Sequence, residues 1–184
     1  FILPLDVDID NIVKVKIHND FLNSNNAKVI NGDLISDDIY EQLREKSIEA
    51  IFHVAGVNKK CQKDPSSMFR TNIEGTKQML ELGNKLNIEK FIYTSSAATL
   101  GEKKGSIGNE DSTHRGTFLS DYEESKYLAE EVAFAFNKEF EFVSINPSSV
   151  QGPGRISGTA KLLISTLNKK YFSASFTVPK NDSS

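Results

Sequence analysis

The chain has 184 residues, 38% hydrophobic and 26% charged, with a formal net charge of −3: enough for one globular domain with a real core. That balance carries no basic footprint for nucleic acid, since Lys59-Lys60, Lys103-Lys104 and Lys169-Lys170 are isolated pairs. A single cysteine, Cys61, excludes an internal disulfide and a cysteine zinc cage, and His18, His53 and His114 have no metal-ligand spacing.

Residues 1–11 mix apolar and acidic side chains without a clear period and receive no assignment. Residues 12–17 alternate apolar and lysine positions and predict a half-buried or edge strand; 27–31 predict a second, ending in Gly32-Asp33-Leu34. Ser36 caps a weak helix, with Asp37 and Asp38 in the first turn, where they suit the helix dipole. Residues 50–55 (Ala-Ile-Phe-His-Val-Ala) form a continuous apolar run, the pattern of a strand buried on both sheet faces, and Gly56 ends it. Asp64-Pro65 reads as an N-cap followed by proline at the first helical position, opening a helix to about Leu86. Gly75 inside that helix costs about 1 kcal/mol relative to alanine, which close packing would explain. Asn72, one turn earlier on the same face, needs a polar partner.

Residues 91–94 predict a short strand that empties into Ser95-Ser96-Ala97-Ala98. A polar loop runs from Gly101 to Asp121, a helix from Tyr122 to about Asn137, and a strand over Glu141–Ile145 that Asn146-Pro147 stops. Gly152-Pro153-Gly154 is a turn, and 159–167 predict a further helix. No apolar run is long enough to span a membrane, and no basic segment followed by an apolar one opens the chain. No membrane partner is expected, and the cytoplasm is the default location. Strand–helix alternation with short loops predicts a doubly wound parallel α/β sheet, in which ligands bind at the carboxyl ends of the strands.

The Tyr122 helix carries the sharpest chemical signal. Tyr122 and Lys126 lie one turn apart on one face, continued by the small Ala129 and Ala133, while Leu128, Val132 and Phe136 form an opposite stripe suited to a core. A phenol ionises near pH 10, and a neighbouring cation favours the phenolate, so a lysine one turn away can make Tyr122 a working acid or base near neutrality. An isolated pair of this kind is usually a surface feature. Its company decides otherwise.

Gly32-Asp33-Leu34, His53-Val54-Ala55-Gly56, Asn72-Ile73-Glu74-Gly75-Thr76, Tyr93-Thr94-Ser95-Ser96-Ala97, Tyr122-x-x-Ser125-Lys126-x-x-Ala129-Glu130 and Asn146-Pro147-Ser148-Ser149-Val150-x-Gly152-Pro153 occur in that order. Together they resemble the extended short-chain dehydrogenase/reductase family, the NAD-dependent epimerase/dehydratase and dihydroflavonol-reductase-like group. The resemblance implies a Rossmann-like fold, NADP or NAD as cofactor, a small-molecule substrate and a homodimer packed through helices 65–86 and 122–137. It makes Tyr122 the general acid/base, Lys126 the holder of the nicotinamide ribose, and Ser96, preferred to Ser95, the serine on the substrate oxygen. Asp33 and Leu34 would meet the adenine. Val54, Ala55, Gly56, Val57 and Asn58 would line the ribose and diphosphate, with Asn72, Thr94 and Ser95 nearby and Ile145, Asn146, Pro147 and Ser148 beside the nicotinamide. His53 is expected to be a core histidine, Cys61 inert, and Ser125 structural or a minor substrate contact. No metal site is expected.

The sequence departs from the family at the front. The family's first strand and its T-G-x-x-G-x-x-G turn, whose backbone admits the diphosphate to a helix N-terminus, have no counterpart before Ile12. Gly101-x-x-x-Gly105-x-x-Gly108 has the wrong spacing and place, and Gly152-x-Gly154-x-x-x-Gly158 follows the last strand. The chain also starts at Phe1, and it reads as the middle of an enzyme: residues 1–155 a nucleotide-binding domain, 156–184 the start of a substrate-binding region. Ala97-Ala98 after Ser96, where sugar-nucleotide dehydratases carry Asp-Glu, argues against dehydration. Leu100, where epimerases commonly carry tyrosine, tilts the reading to a carbonyl reductase. A sugar-nucleotide epimerase and a non-catalytic scaffold stay open as alternatives. His18-Asn19-Asp20 does not decide between NAD and NADP.

Overall fold

The computed structural model describes residues 30, 32–36, 38–58, 63–109, 111–112 and 114–150, and the statements below concern these. The strand predicted at 12–17, nearly all of that at 27–31, Cys61 and the helix predicted at 159–167 lie outside them.

Helix α1 (Asp38–Leu43) starts where Ser36 Oγ accepts the Asp38 N–H at 3.2 Å, as its cap role predicts, and it buries Ile39 and Leu43. Strand β1 (Ala50–His53) follows. Helix α2 covers 66–85 in three pieces: an α-turn (Ser66–Phe69), a π-helical stretch (Arg70–Glu74) and an α-helix (Gly75–Lys85). Asp64 Oδ1 accepts the Ser66 N–H at 2.9 Å, satisfying one of the donors that a helix start leaves orphaned. Strand β2 (Lys90–Thr94), a 3₁₀ turn (Ala97–Leu100), helix α3 (Asp121–Ala135) and strand β3 (Glu141–Ile145) complete the order. Ser120 caps α3 by accepting the Glu123 N–H at 3.2 Å.

The three strands pair in parallel in the order β1-β2-β3, with Ile51 opposite Phe91 opposite Phe142, and His53 opposite Tyr93 opposite Ser144. A helix makes each crossover, as parallel pairing requires. This is a Rossmann-like parallel sheet, the class that the sequence predicts.

Helices α2 and α3 pack on one sheet face. Phe91 and Tyr93 are fully buried there, and Phe91 stacks on Phe140 and Phe142 with centroids 5.6 and 6.1 Å apart. Burying a ring of this size contributes about 1.5–3 kcal/mol, and a good aromatic pair about 0.5–1.5 more. The other face is different. Phe52 is 70% and Val54 68% exposed, and Val143 and Ile145 are also exposed. The apolar run 50–55 was expected to be covered on both faces and to reach Ala55. Instead the strand stops at His53, and the described residues cover only its Ile51/His53 side. An apolar run shows that a strand has no polar face, not how many layers cover it.

Two further expectations need correcting. The core stripe of α3 is not Leu128/Val132/Phe136: Ser125, Lys126, Ala129 and Ala133 are buried, Leu128 is exposed, and Val132 and Phe136 are half-buried. The small face wins because it lets the helix axis approach its neighbours. Gly75 is not required by close packing either. A Cβ there would meet Leu34 at 3.7 Å, an ordinary contact. Gly83 is the crowded position, where a Cβ would come within 2.8 Å of Phe140 and 2.9 Å of Ile88.

Candidate active site

The carboxyl ends of the three strands bring Val54–Asn58, Thr94–Ser96 and Ile145–Ser148 together with the first two turns of α3. Lys126 is the centre of this arrangement. Its ammonium donates to the Tyr93 phenol oxygen at 3.0 Å and the Thr94 carbonyl at 2.9 Å, and it lies 4.6 Å from the Tyr93 ring centroid. An ammonium has three donors, so one N–H is left for a ligand. Burial pushes the Lys126 pKa down to about 8, and the Glu130 carboxylate pulls against that shift. Tyr122, one turn earlier, is half-buried.

The two serines divide their work. Ser95 is buried; its N–H donates to the Ile145 carbonyl at 2.8 Å and its hydroxyl to Glu130 at 3.0 Å, so it is spent on the fold. Ser96 has extended backbone at the start of the 3₁₀ turn, where its Oγ accepts the Ala98 N–H at 3.2 Å. Its hydroxyl proton remains to donate. Asn146, which the family resemblance would put beside the nicotinamide, acts as a latch: its Nδ2 reaches Ser96 O at 3.2 Å, Thr99 Oγ1 at 2.9 Å and Glu130 Oε1 at 3.0 Å. Pro147 O accepts the Ala97 N–H at 3.0 Å. Ile145 and Ser148 are exposed at the same end.

Asn72 finds the partners its burial demands. Its Oδ1 accepts the Val57 N–H at 2.7 Å, and its Nδ2 donates to Val57 O at 3.1 Å and Ser125 Oγ at 2.9 Å. Ser125 in turn donates to the Tyr122 carbonyl at 2.9 Å. Asn72 thus ties the loop after β1 to the turn that carries Tyr122, and it does so from the π-helical stretch of α2. Gly56 sits against this clamp, where a Cβ would come within 3.3 Å of Asn72 Oδ1. Val54 and Gly56 are exposed, and Ala55 and Val57 half-exposed.

Asp33 is exposed and holds a turn, accepting the Ile35 N–H at 3.1 Å. Leu34 is buried in the core cluster. Leu34, Val54 and Ala55 also line an open apolar cleft of about 520 Å³ along the β1 edge, which includes none of Tyr122, Lys126 and Ser96. Among the described residues no group of His, Cys, Asp and Glu is placed to hold a metal, and no helix is long and apolar enough to cross a membrane.

The fold and the site have counterparts among known proteins. The sequence model of the NAD dependent epimerase/dehydratase family matches residues 7–180. The chain belongs to this family. A Synechocystis sp. protein provisionally named dihydroflavonol 4-reductase is 34% identical over 132 residues, covering 70% of this chain and 38% of its own length. A Candida albicans sterol-4-alpha-carboxylate 3-dehydrogenase (decarboxylating) is 30% identical over 129 residues, covering 67% of this chain and 36% of the relative. Among solved structures, UDP-glucuronic acid 4-epimerase from Bacillus cereus in complex with NAD superposes with a TM-score of 0.67 at 26% identity, over 84% of this chain and 50% of that one. The chain therefore spans less than two fifths of the length of these two curated relatives.

Several site residues received no role from sequence reasoning. Tyr93 and Glu130 stand inside recognised motifs, but nothing local shows that one touches Lys126 or that the other gathers Ser95, Ser144 and Asn146. Arg115, Glu123 and His114 were missed entirely. Arg115 pairs with Glu123, whose other oxygen accepts the Leu119 N–H at 2.9 Å, and the His114 ring packs at a tilt against Phe118 and Tyr127. That cluster ties the 101–120 loop to α3. The only hint in the sequence is an acid directly after Tyr122.

Proposed function

We propose that this chain carries the catalytic centre of an NAD(P)-dependent oxidoreductase that reduces a carbonyl, or oxidises a hydroxyl, on a small organic substrate. One observation supports it above the rest: a half-buried tyrosine on the first turn of α3 sits one turn from a buried lysine whose ammonium has one uncommitted N–H, at the strand ends where Ser96 also lies. The residues present fit the nicotinamide-ribose half of such a cofactor, because that N–H matches a ribose hydroxyl and Val54, Gly56 and Asn58 are exposed at the neighbouring strand end. Bound there, the nicotinamide supplies or accepts the hydride. Tyr122 gives the substrate oxygen its proton, or takes it in the reverse direction. Ser96 donates a hydrogen bond to the same oxygen and so orients it. Leu100, with residues 146–150, supports this reading over the epimerase, and Ala97-Ala98 after Ser96 argue against dehydration; reductase, dehydrogenase and epimerase relatives all match the chain.

A thermal-shift titration with NADH and NADPH, on this chain and on Tyr122→Phe, tests the proposal. Nucleotide at about 100 times its dissociation constant adds about 2.7 kcal/mol of stability, and both proteins should show that shift. Reduction of a panel of aldehydes and ketones, followed by nicotinamide absorbance, should fall about 10²–10⁴-fold in Tyr122→Phe. A cooperative melt that neither nucleotide moves would sink the proposal for this chain.

A further inference from the structure

Tyr93 has no task in the chemistry above, yet it is fully buried and its polar end meets the most important cation in the molecule. Its ring stacks on His53, centroids 5.6 Å apart and 20° between planes, and on Phe142 at 6.5 Å. Its oxygen accepts from Lys126 at 3.0 Å, with the Thr76 and Ser95 hydroxyls nearby. Thr76 spends its proton on the Asn72 carbonyl at 2.6 Å, so it accepts the His53 Nε2–H at 3.0 Å. That bond fixes the His53 ring, and the His53 ring braces Tyr93. A phenylalanine would fill this stack as well. The hydroxyl is the part that needs a reason.

We propose that Tyr93 is a positioning residue for Lys126: its phenol oxygen and the Thr94 carbonyl take two ammonium protons and aim the third at the ligand. The proposal rests on the function proposed above for its consequence, but not for its test. Two acceptors at 3.0 and 2.9 Å, both on β2, set the direction of the ammonium as one would not, because rotation about the Cε–Nζ bond stays free with a single partner. The lysine stem is buried beside them, so the ammonium cannot simply turn to water. The titratable groups facing Lys126 are His53 on β1, Tyr93 on β2, and Tyr122 and Glu130 on α3. From α2 the nearby side chain is the uncharged Thr76, and the 3₁₀ turn contributes no titratable group. Burial pushes the Tyr93 phenol far up, so it stays protonated and acts as a neutral acceptor throughout the Lys126 titration.

The test is a titration of Lys126 itself, on chain labelled with carbon-13 at lysine Cε and assigned by comparison with Lys126→Arg. In the unaltered chain the midpoint should lie at about 8. Tyr93→Phe keeps the ring and removes the acceptor, so the charged form loses support and the midpoint should fall by about half a pH unit or more. Phe142→Leu loosens the same stack and leaves the hydroxyl, and it should leave the midpoint where it was. A fall in both variants, or in neither, overturns the proposal. Should Tyr93→Phe not melt cooperatively, the unaltered chain still decides: the Tyr93 Cζ resonance must move with the Lys126 midpoint, and a flat trace overturns the idea. Neither measurement needs nucleotide or turnover. A failed nucleotide titration would therefore remove the enzyme reading and leave this one to stand or fall separately.

Discussion

The two faces of the sheet are built from alternate residues of the same three strands, and they have opposite fates. One face carries Ile51, His53, Phe91, Tyr93, Phe142 and Ser144 against α2 and α3, and it holds the aromatic stack and the polar network behind Lys126. The other carries Phe52, Val54, Val143 and Ile145, apolar but exposed. Hydrophobicity alone does not separate them: the outer face also carries Lys90, Thr94 and Glu141, yet its Phe52, Val143 and Ile145 are as apolar as the buried side chains. The polar residues that do the work are all on the covered side, because a buried polar group is tolerated only where partners satisfy it. Here Thr76, Lys126 and Glu130 supply those partners.

The contrast can be broken at three places. The largest effect belongs to Phe91→Ala, which empties the centre of the inner stack and should cost about 3–5 kcal/mol in urea unfolding. A loss of less than about 1 kcal/mol would mean the inner face is not the core. Next comes His53. Burial, then the Lys126 charge, pushes its pKa to about 3, below the unfolded value of 6.5. Between those values the unfolded chain binds more protons, so stability is lost as pH falls through that window, by up to about 1.4 kcal/mol per pH unit. Going from pH 6.5 down to about 5, His53→Gln should lose about 1.5 kcal/mol less stability than the unaltered chain; equal losses would place that ring in contact with solvent. The smallest effect is expected on the outer face. Phe52→Ser should stay within about 0.5 kcal/mol, and a cost above about 2 kcal/mol would show that something covers Phe52 in the folded chain.

Much of this was legible before any coordinates. Strand β3 falls on the predicted residues, β2 differs by one, and Ser36 caps α1, while the N-cap of α2 is Pro65 rather than the predicted Asp64, which bonds the Ser66 N–H. The family followed from six short motifs in register. The facing of α3 was not legible, because its sequence offers two plausible stripes, one large and one small, and periodicity cannot rank them. The roles of Ser95 and Ser96 were separable only by preference. In the structure their hydroxyls make different bonds, Ser95 Oγ donating to Glu130 and Ser96 Oγ accepting the Ala98 N–H. The positions at 12–17 and 159–167 fall outside the described residues and stay as expectations.

Local chemistry, then, was determined by the sequence alone: where α1 starts, where β2 and β3 stop, and that Tyr122 and Lys126 share a face one turn apart. Those properties depend on residues within four positions of one another, and short-range sterics and hydrogen bonds settle them. The tertiary structure alone decided which stripe of α3 is buried, which sheet face is covered, and that Tyr93, Thr94 and Lys126 meet. Each of these joins residues about thirty positions apart or more. Which of two apolar surfaces is buried depends on what lies opposite it, and no residue carries that information by itself.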